Sequence, residues 1–211
     1  MKLSDLLILW YRLGNLRFEL LKTITDQNLG ILPEQVREYI NCLRKCLKPY
    51  TELLHATIYL TSHEELRKID DELMILLELG RSGDWELAKK HLLILFDAEE
   101  FLIRTICSHL RKTSERDYRV LIGLYVLSKV TSYLREIIEL TPSVNRLVKL
   151  LKYMYENSEF LSDINLDDVK FQLRSLWLNI FTMSEDQVLR KSEKILRLID
   201  EKIHEFTESR C

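Results

Sequence analysis

Five glycines and three prolines are all that interrupt 211 residues, far fewer chain breakers than a globular protein of this length ordinarily carries. Without them the chain has few places to turn, and a residue pool dominated by Leu, Ile, Glu, Lys and Arg favours long helices joined by short connections. Alanine occurs only at 56, 88 and 98, so Leu and Ile must supply both core volume and much of the helix propensity. Charged residues reach 30% of the sequence. Low Ala, Gly and Gln beside abundant Lys, Arg and Glu is compatible with a thermophilic source.

Helix starts are legible where a Ser or Thr oxygen can accept from the free N–H groups of a first turn. Ser62 with Glu65 and Ser184 with Gln187 have capping-box spacing, and Ser114 with Asp117 resembles it. Thr141 before Pro142 reads as an N-cap followed by proline at the first helical position. These signals predict helices at about 4–25, 34–61, 63–80, 84–111, 115–140, 142–158, 166–181 and 185–208, with ends uncertain by roughly 2–4 residues. Pro49 should kink or break the second of them, because it removes a backbone donor and clashes with the preceding turn. The expected architecture is an all-α bundle of about eight helices forming one domain over 1–211, with a weak subdivision near 80–84.

Periodicity says which faces should be buried. In the last helix Val188, Ile195, Ile199, Ile203 and Phe206 share one face. Helix 84–111 carries two apolar stripes, Leu87–Ile94–Ala98–Leu102–Thr105 and Leu92–Phe96–Ile103–Cys107–Leu110. The first half of 115–140, from Val120 to Leu127, is apolar all round. Helices apolar over most of their circumference are surrounded by others, so 84–111 and 115–140 are expected to form a central buried hairpin. Gly83-Asp84-Trp85 opening a helix that carries Ala88 faintly resembles a tetratricopeptide repeat, but the unequal neighbouring helices do not sustain one.

The opening MKLSDLLILWYRLGN has a short apolar run broken by Asp5 and Arg12 and no small-residue cleavage site, unlike a secretory signal. No apolar stretch reaches membrane-spanning length. Four cysteines without a dense framework suit a reducing compartment, and a cytoplasmic protein with no membrane contact is expected. The net charge of −2 hides an asymmetry: 62–100 carries five basic against eleven acidic side chains, and 101–155 carries ten against four. Adjacent blocks of opposite sign suggest internal complementarity, a polar docking surface, or both.

Three constellations could carry chemistry. Glu52-Leu53-Leu54-His55 and Glu201-Lys202-Ile203-His204, each with an acidic residue 33 positions upstream (Glu19 and Asp168), resemble the ligand spacing of ferritin-like di-iron proteins. That resemblance implies ligands pointing into the bundle. On a helical wheel, however, Glu52 lies about 160° from the Leu54 stripe and Glu201 about 160° from Ile199, so both pairs should face solvent unless Pro49 rotates the first. Arg104-Thr-Ile-Cys-Ser-His109 resembles the Arg-x4-His motif of HEPN-type helical ribonucleases, in which the pair acts on the RNA backbone. The tyrosine often found two places after that histidine is Arg111 here. His109 falls about 140° round the helix from Arg104, and Glu100 offers Arg104 an ordinary ion pair. Cys42 and Cys46 share a helical face that Cys107 and His109 could complete as a metal site, although mid-helix thiols at this spacing more often fill a core.

The most suggestive surface is basic. If 142–158 runs antiparallel to 115–140, then Arg146, Lys149 and Lys152, with Tyr153 among them, return toward Arg111, Lys112, Arg116 and Arg119. Such a patch could neutralise phosphates, with Tyr153 stacking on a base, or could meet an acidic protein. The expectation is therefore a binding or scaffolding subunit rather than an enzyme, with no cofactor and no metal. A protein partner is expected, while a nucleic acid and a homo-oligomer both stay open. The alternatives are a HEPN-like ribonuclease using Arg104 and His109, and a ferritin-like metal-binding bundle.

Overall fold

A computed structural model describes residues 2–26, 33–54, 59–110 and 116–208, and within them the chain is all-α, with eight α-helices and no strand. They are α1 Leu3–Thr25, α2 Pro33–Leu54, α3 Tyr59–Ser82, α4 Trp85–Leu110, α5 Arg116–Glu139, α6 Val144–Asn157, α7 Asp167–Leu178 and α8 Glu185–Glu208. Short 3-10 helices follow α6 at Ser158–Ile164 and α7 at Ile180–Thr182. No helix among the described residues is long and apolar enough to cross a membrane. The helices gather into two compact units, one of residues 1–18 with 114–211, the other of 19–113.

In the first unit every position of α5 from Leu121 to Ser132 is buried. The all-apolar run Val120–Leu127 anticipates this, and α5 is enclosed by α6, the 158–164 helix and α8. The first part of α1 lies against it as well: Trp10 meets the Tyr125 ring edge-on at 6.4 Å. Two glycines permit the closest approaches. A Cβ on Gly14 would lie 2.4 Å from the Ser128 carbonyl oxygen, and one on Gly123 would lie 2.4 Å from that of Phe160. Around α5 the core is completed by Leu150, Leu151 and Met154 of α6, Val169, Leu173 and Leu176 of α7, and the Val188–Ile195–Ile199–Ile203 stripe of α8. The start of α8 is the reciprocal capping box read from sequence, with Ser184 N–H donating to Gln187 Oε1 at 2.9 Å and Gln187 N–H to Ser184 Oγ at 3.3 Å.

In the second unit α3 packs against both α2 and α4. Val36, Tyr39, Ile40, Leu43 and Leu47 of α2 meet Ile69, Leu73 and Leu76 of α3 and Leu92, Leu95, Phe96 and Leu102 of α4 in one core. Polar ties join the helices at the edges of this core: Arg44 pairs with Asp70, and His91 Nδ1 lies 2.7 Å from Glu72 Oε2. The turn between α3 and α4 is only residues 83–84, where Gly83 takes the left-handed φ of 78° that commonly closes a helix, its N–H donating to Leu79 O at 2.9 Å.

Several boundaries differ from the reading of the sequence. Thr141 is not an N-cap: it has φ 46°, Ser143 occupies the cap position, and α6 begins at Val144. Pro142 disfavours the right-handed helical region for the residue before it, so the reversal falls on Thr141. Helix α2 continues through position 49 to Leu54, and α3 begins at Tyr59, which places Ser62 inside a helix instead of at its cap. Ser114 lies outside the described residues. Helix α6 ends at Asn157 and tightens into the 158–164 helix, which closes on Asn165 at φ 61°. The expected central hairpin is divided between the units, with α3 as the neighbour of α4 in its own unit. Helix α4 is not buried all round, for Leu87, Leu93, Ile94 and Phe101 are exposed while Ala88, Leu92, Leu95, Phe96 and Glu99 are buried.

Replacing Gly14 or Gly123 with Ala should destabilise the protein by about 1–3 kcal/mol, because the new methyl meets a backbone oxygen that cannot yield without moving a helix. The sign is diagnostic, since Gly→Ala in an unobstructed helix stabilises by about 0.5–1 kcal/mol. Urea denaturation of each variant reads the difference.

Candidate interaction surface

Cross-contacts set the register of α5 against the chain that follows it. Arg146 reaches Glu136, the Tyr133 and Tyr153 rings meet edge-to-face at 5.3 Å, and Arg119 Nε donates to Asp163 Oδ1 at 3.0 Å. Helix α6 and the 158–164 helix therefore run antiparallel to α5 along its length, as the sequence suggested for α6. Because Arg146, Lys149 and Lys152 lie within the first three turns of α6, they do not return to the start of α5. Lys152 stands level with about position 132, roughly 20 Å along the axis from Arg119. The structure brings Arg146, Lys149 and Lys152 together on the exposed face of α6 and sets Arg116 and Arg119 apart at the opposite end of α5. Arg111 and Lys112 lie outside the described residues.

Most of these cations already have internal partners. Arg146 donates to Glu136, a buried carboxylate on α5. Lys152 lies 3.6 Å from Glu156. The Arg119 guanidinium is held by Asp163, which raises its pKa first by hydrogen bonding and then by charge, and it lies 5.4 Å from the centre of the Phe160 ring. Lys149 and Arg116 are exposed and have no ion-pair partner among the described residues. Tyr153 is half-buried against Tyr133, an arrangement unlike an open stacking platform.

The second feature on this face was not read from the sequence. The Tyr155 and Trp177 rings stack at 5.8 Å, while Glu159 pairs with Arg174 and Lys170 Nζ contacts Ser162 Oγ at 2.7 Å. These contacts run α7 antiparallel to α6 and put Lys152 level with the 180–182 helix. On the side of α7 away from Val169, Leu173 and Leu176 stand Phe171, 69% exposed, and Leu178, 70% exposed, followed by Phe181 at 85%. Phe171 and Leu178 share that face about 10 Å apart along the axis, and exposed apolar side chains gathered on one face mark a candidate interaction site. The signal was present in the sequence, since Phe171 and Leu178 are seven residues apart and about 160–180° from the buried stripe.

The other constellations are placed as follows. Glu201 and His204 are exposed on α8, opposite Ile199 and Ile203, as the helical wheel requires, and His204 pairs with Glu208 at 3.1 Å. Asp168 and Glu201 do share a cavity of about 200 Å³, but Lys202 also lines it and holds Glu205 at 3.0 Å. The side chains of Glu52, His55, Cys107 and His109 lie outside the described residues. Among those described, no three His, Cys, Asp or Glu converge as metal ligands. Arg104 pairs with Glu100 on the same helix. Cys42 and Cys46 are free thiols buried on α2, and burial, followed by the hydrogen bond with Cys42, pushes the Cys46 thiol upward, away from the nucleophilic thiolate. No protein-family model matches the chain, and no curated protein or solved structure matches it either.

Two outcomes follow. Arg146→Met should lower stability by about 1–3 kcal/mol because it leaves the Glu136 carboxylate buried without its cation, and adding Glu136→Leu should recover most of that loss in a double-mutant cycle. In a background with Cys42, Cys107 and Cys211 replaced by Ser, native protein should leave Cys46 unreactive toward a chromogenic disulfide reagent, and denaturant should release one full equivalent.

Proposed function

We propose that the chain is a non-enzymatic helical binding subunit that docks an acidic, amphipathic segment of a protein partner. The observation that carries this reading is the ridge of Phe171, Leu178 and Phe181, three large apolar side chains in water along α7 and its 3-10 extension. Apolar anchors of this kind supply most of an interface's binding energy. Lys149 and Lys152 of α6 stand level with the end of the ridge, and their positive charge there favours an acidic partner. A nucleic acid fits less well, because Tyr153 is packed against Tyr133 and the chain as a whole is acidic. A cytoplasmic location belongs to the same proposal and is supported by the free thiols of Cys42 and Cys46.

Quantitative copurification of the tagged chain from its native cells tests the reading. A protein partner retained by the wild type should be lost from the Phe171→Ser, Leu178→Ser, Phe181→Ser variant, whose circular dichroism and melting should stay unchanged because all three positions are exposed. With that partner purified, Lys149→Glu with Lys152→Glu should slow association and weaken its salt dependence. The same proteins copurifying equally with the triple-serine variant would overturn the proposal.

A further inference from the structure

The exposed face of α4 has a chemistry of its own. Leu87, Ile94 and Phe101 are 39%, 47% and 58% exposed and recur every seventh residue, which keeps them within about 40° of one another as seen down the helix. The stripe is about 21 Å long, and a seven-residue apolar repeat is the spacing by which two helices pack along a shared seam. Charges flank it on one side only, in the order Glu86, Lys90, Asp97 and Arg104, with signs that alternate. All four are exposed. Glu86 and Arg104 are themselves well exposed and make short-range pairs along their own helix with Lys89 and Glu100. Lys90 and Asp97 have no ion-pair partner among the described residues.

We propose that this face binds a second copy of the same chain, with the two α4 helices antiparallel about a two-fold axis at Ile94. That axis sets Leu87 of one copy opposite Phe101 of the other and brings Ile94 against its own counterpart. The same operation keeps the charged side of one helix beside the charged side of the other, so Lys90 faces Asp97 and Glu86 faces Arg104, each pair formed twice. A parallel two-fold arrangement would instead carry the charged sides to opposite flanks of the seam, so that none of these four residues would meet its complement. The order of signs therefore selects both the occupant and its direction. A seam of this length is smaller than a standard protein interface, so association is concentration-dependent.

Light scattering and sedimentation velocity of the full chain across a concentration series test the assignment. The wild type should move from monomer to dimer, and Ile94→Glu should remain monomeric with an unchanged circular dichroism spectrum. Lys90→Glu alone should weaken dimerisation about tenfold or more, and adding Asp97→Lys should restore it, a rescue that unfolding cannot imitate. Under mild oxidation Ile94→Cys should cross-link to itself and Leu87→Cys should not. A wild type that stays monomeric throughout, a dimer indifferent to Ile94→Glu, or a charge swap that restores nothing would each overturn the proposal.

Discussion

The twelve consecutive buried positions of α5 constrain everything else in the first unit. A helix can be enclosed on all sides only if its neighbours approach closely, and that is why Gly14 of α1 and Gly123 of α5 sit where backbone oxygens of Ser128 and Phe160 come nearest. Enclosure also captures polar side chains that the sequence carries on every face of α5. Thr131 is satisfied within its own helix by donating to Leu127 O at 2.8 Å. The Lys129 ammonium lies 5.8 Å from the centre of the Tyr125 ring. Glu136 is held by Arg146 from the start of α6, so the charge that seemed available for a partner is committed to making the core tolerable.

Where local chemistry decides, the sequence was read well. The α8 stripe and the Ser184–Gln187 cap follow from period and hydrogen-bonding groups alone, and both are present. The apolar circumference of α5 was visible for the same reason. Helix α4 shows the limit of that reasoning. Its Leu87–Ile94–Phe101 face is periodic and apolar, and periodicity cannot reveal whether the surface that covers such a stripe lies in the same chain.

The basic cluster failed to assemble for a different physical reason. Grouping charges by helix face overlooked that Lys149 and Lys152 stand in the first three turns after the reversal and so stay near the end of α5, while Asp163 of the 158–164 helix is what reaches Arg119. The sign of a surface depends on what stands across the groove: Glu136 of α5 reaches Arg146 and Asp163 of the 158–164 helix reaches Arg119, contacts that no wheel of a single helix displays. Phe171 and Leu178 were legible as outliers on α7. They passed unnoticed because one exposed apolar residue means little until its neighbours are found exposed beside it.

The two exposed apolar faces differ in the symmetry of the charge around them, and this bears on the kind of partner each can take. A two-fold axis brings every side chain on a self-associating seam opposite another from the same sequence. A seam bordered by one sign then meets the same sign, and repulsion opposes the contact. The ridge of α7 ends level with two lysines, Lys149 and Lys152, and under the proposed reading takes a partner of different composition. On α4 the signs run minus, plus, minus, plus from Glu86 to Arg104, and reversing that order exchanges every minus for a plus. A strip that becomes its own electrostatic complement on reversal needs no other protein to satisfy it. Apolar exposure alone marks only a candidate face; the order of charge along it is what would distinguish a foreign partner from a second copy.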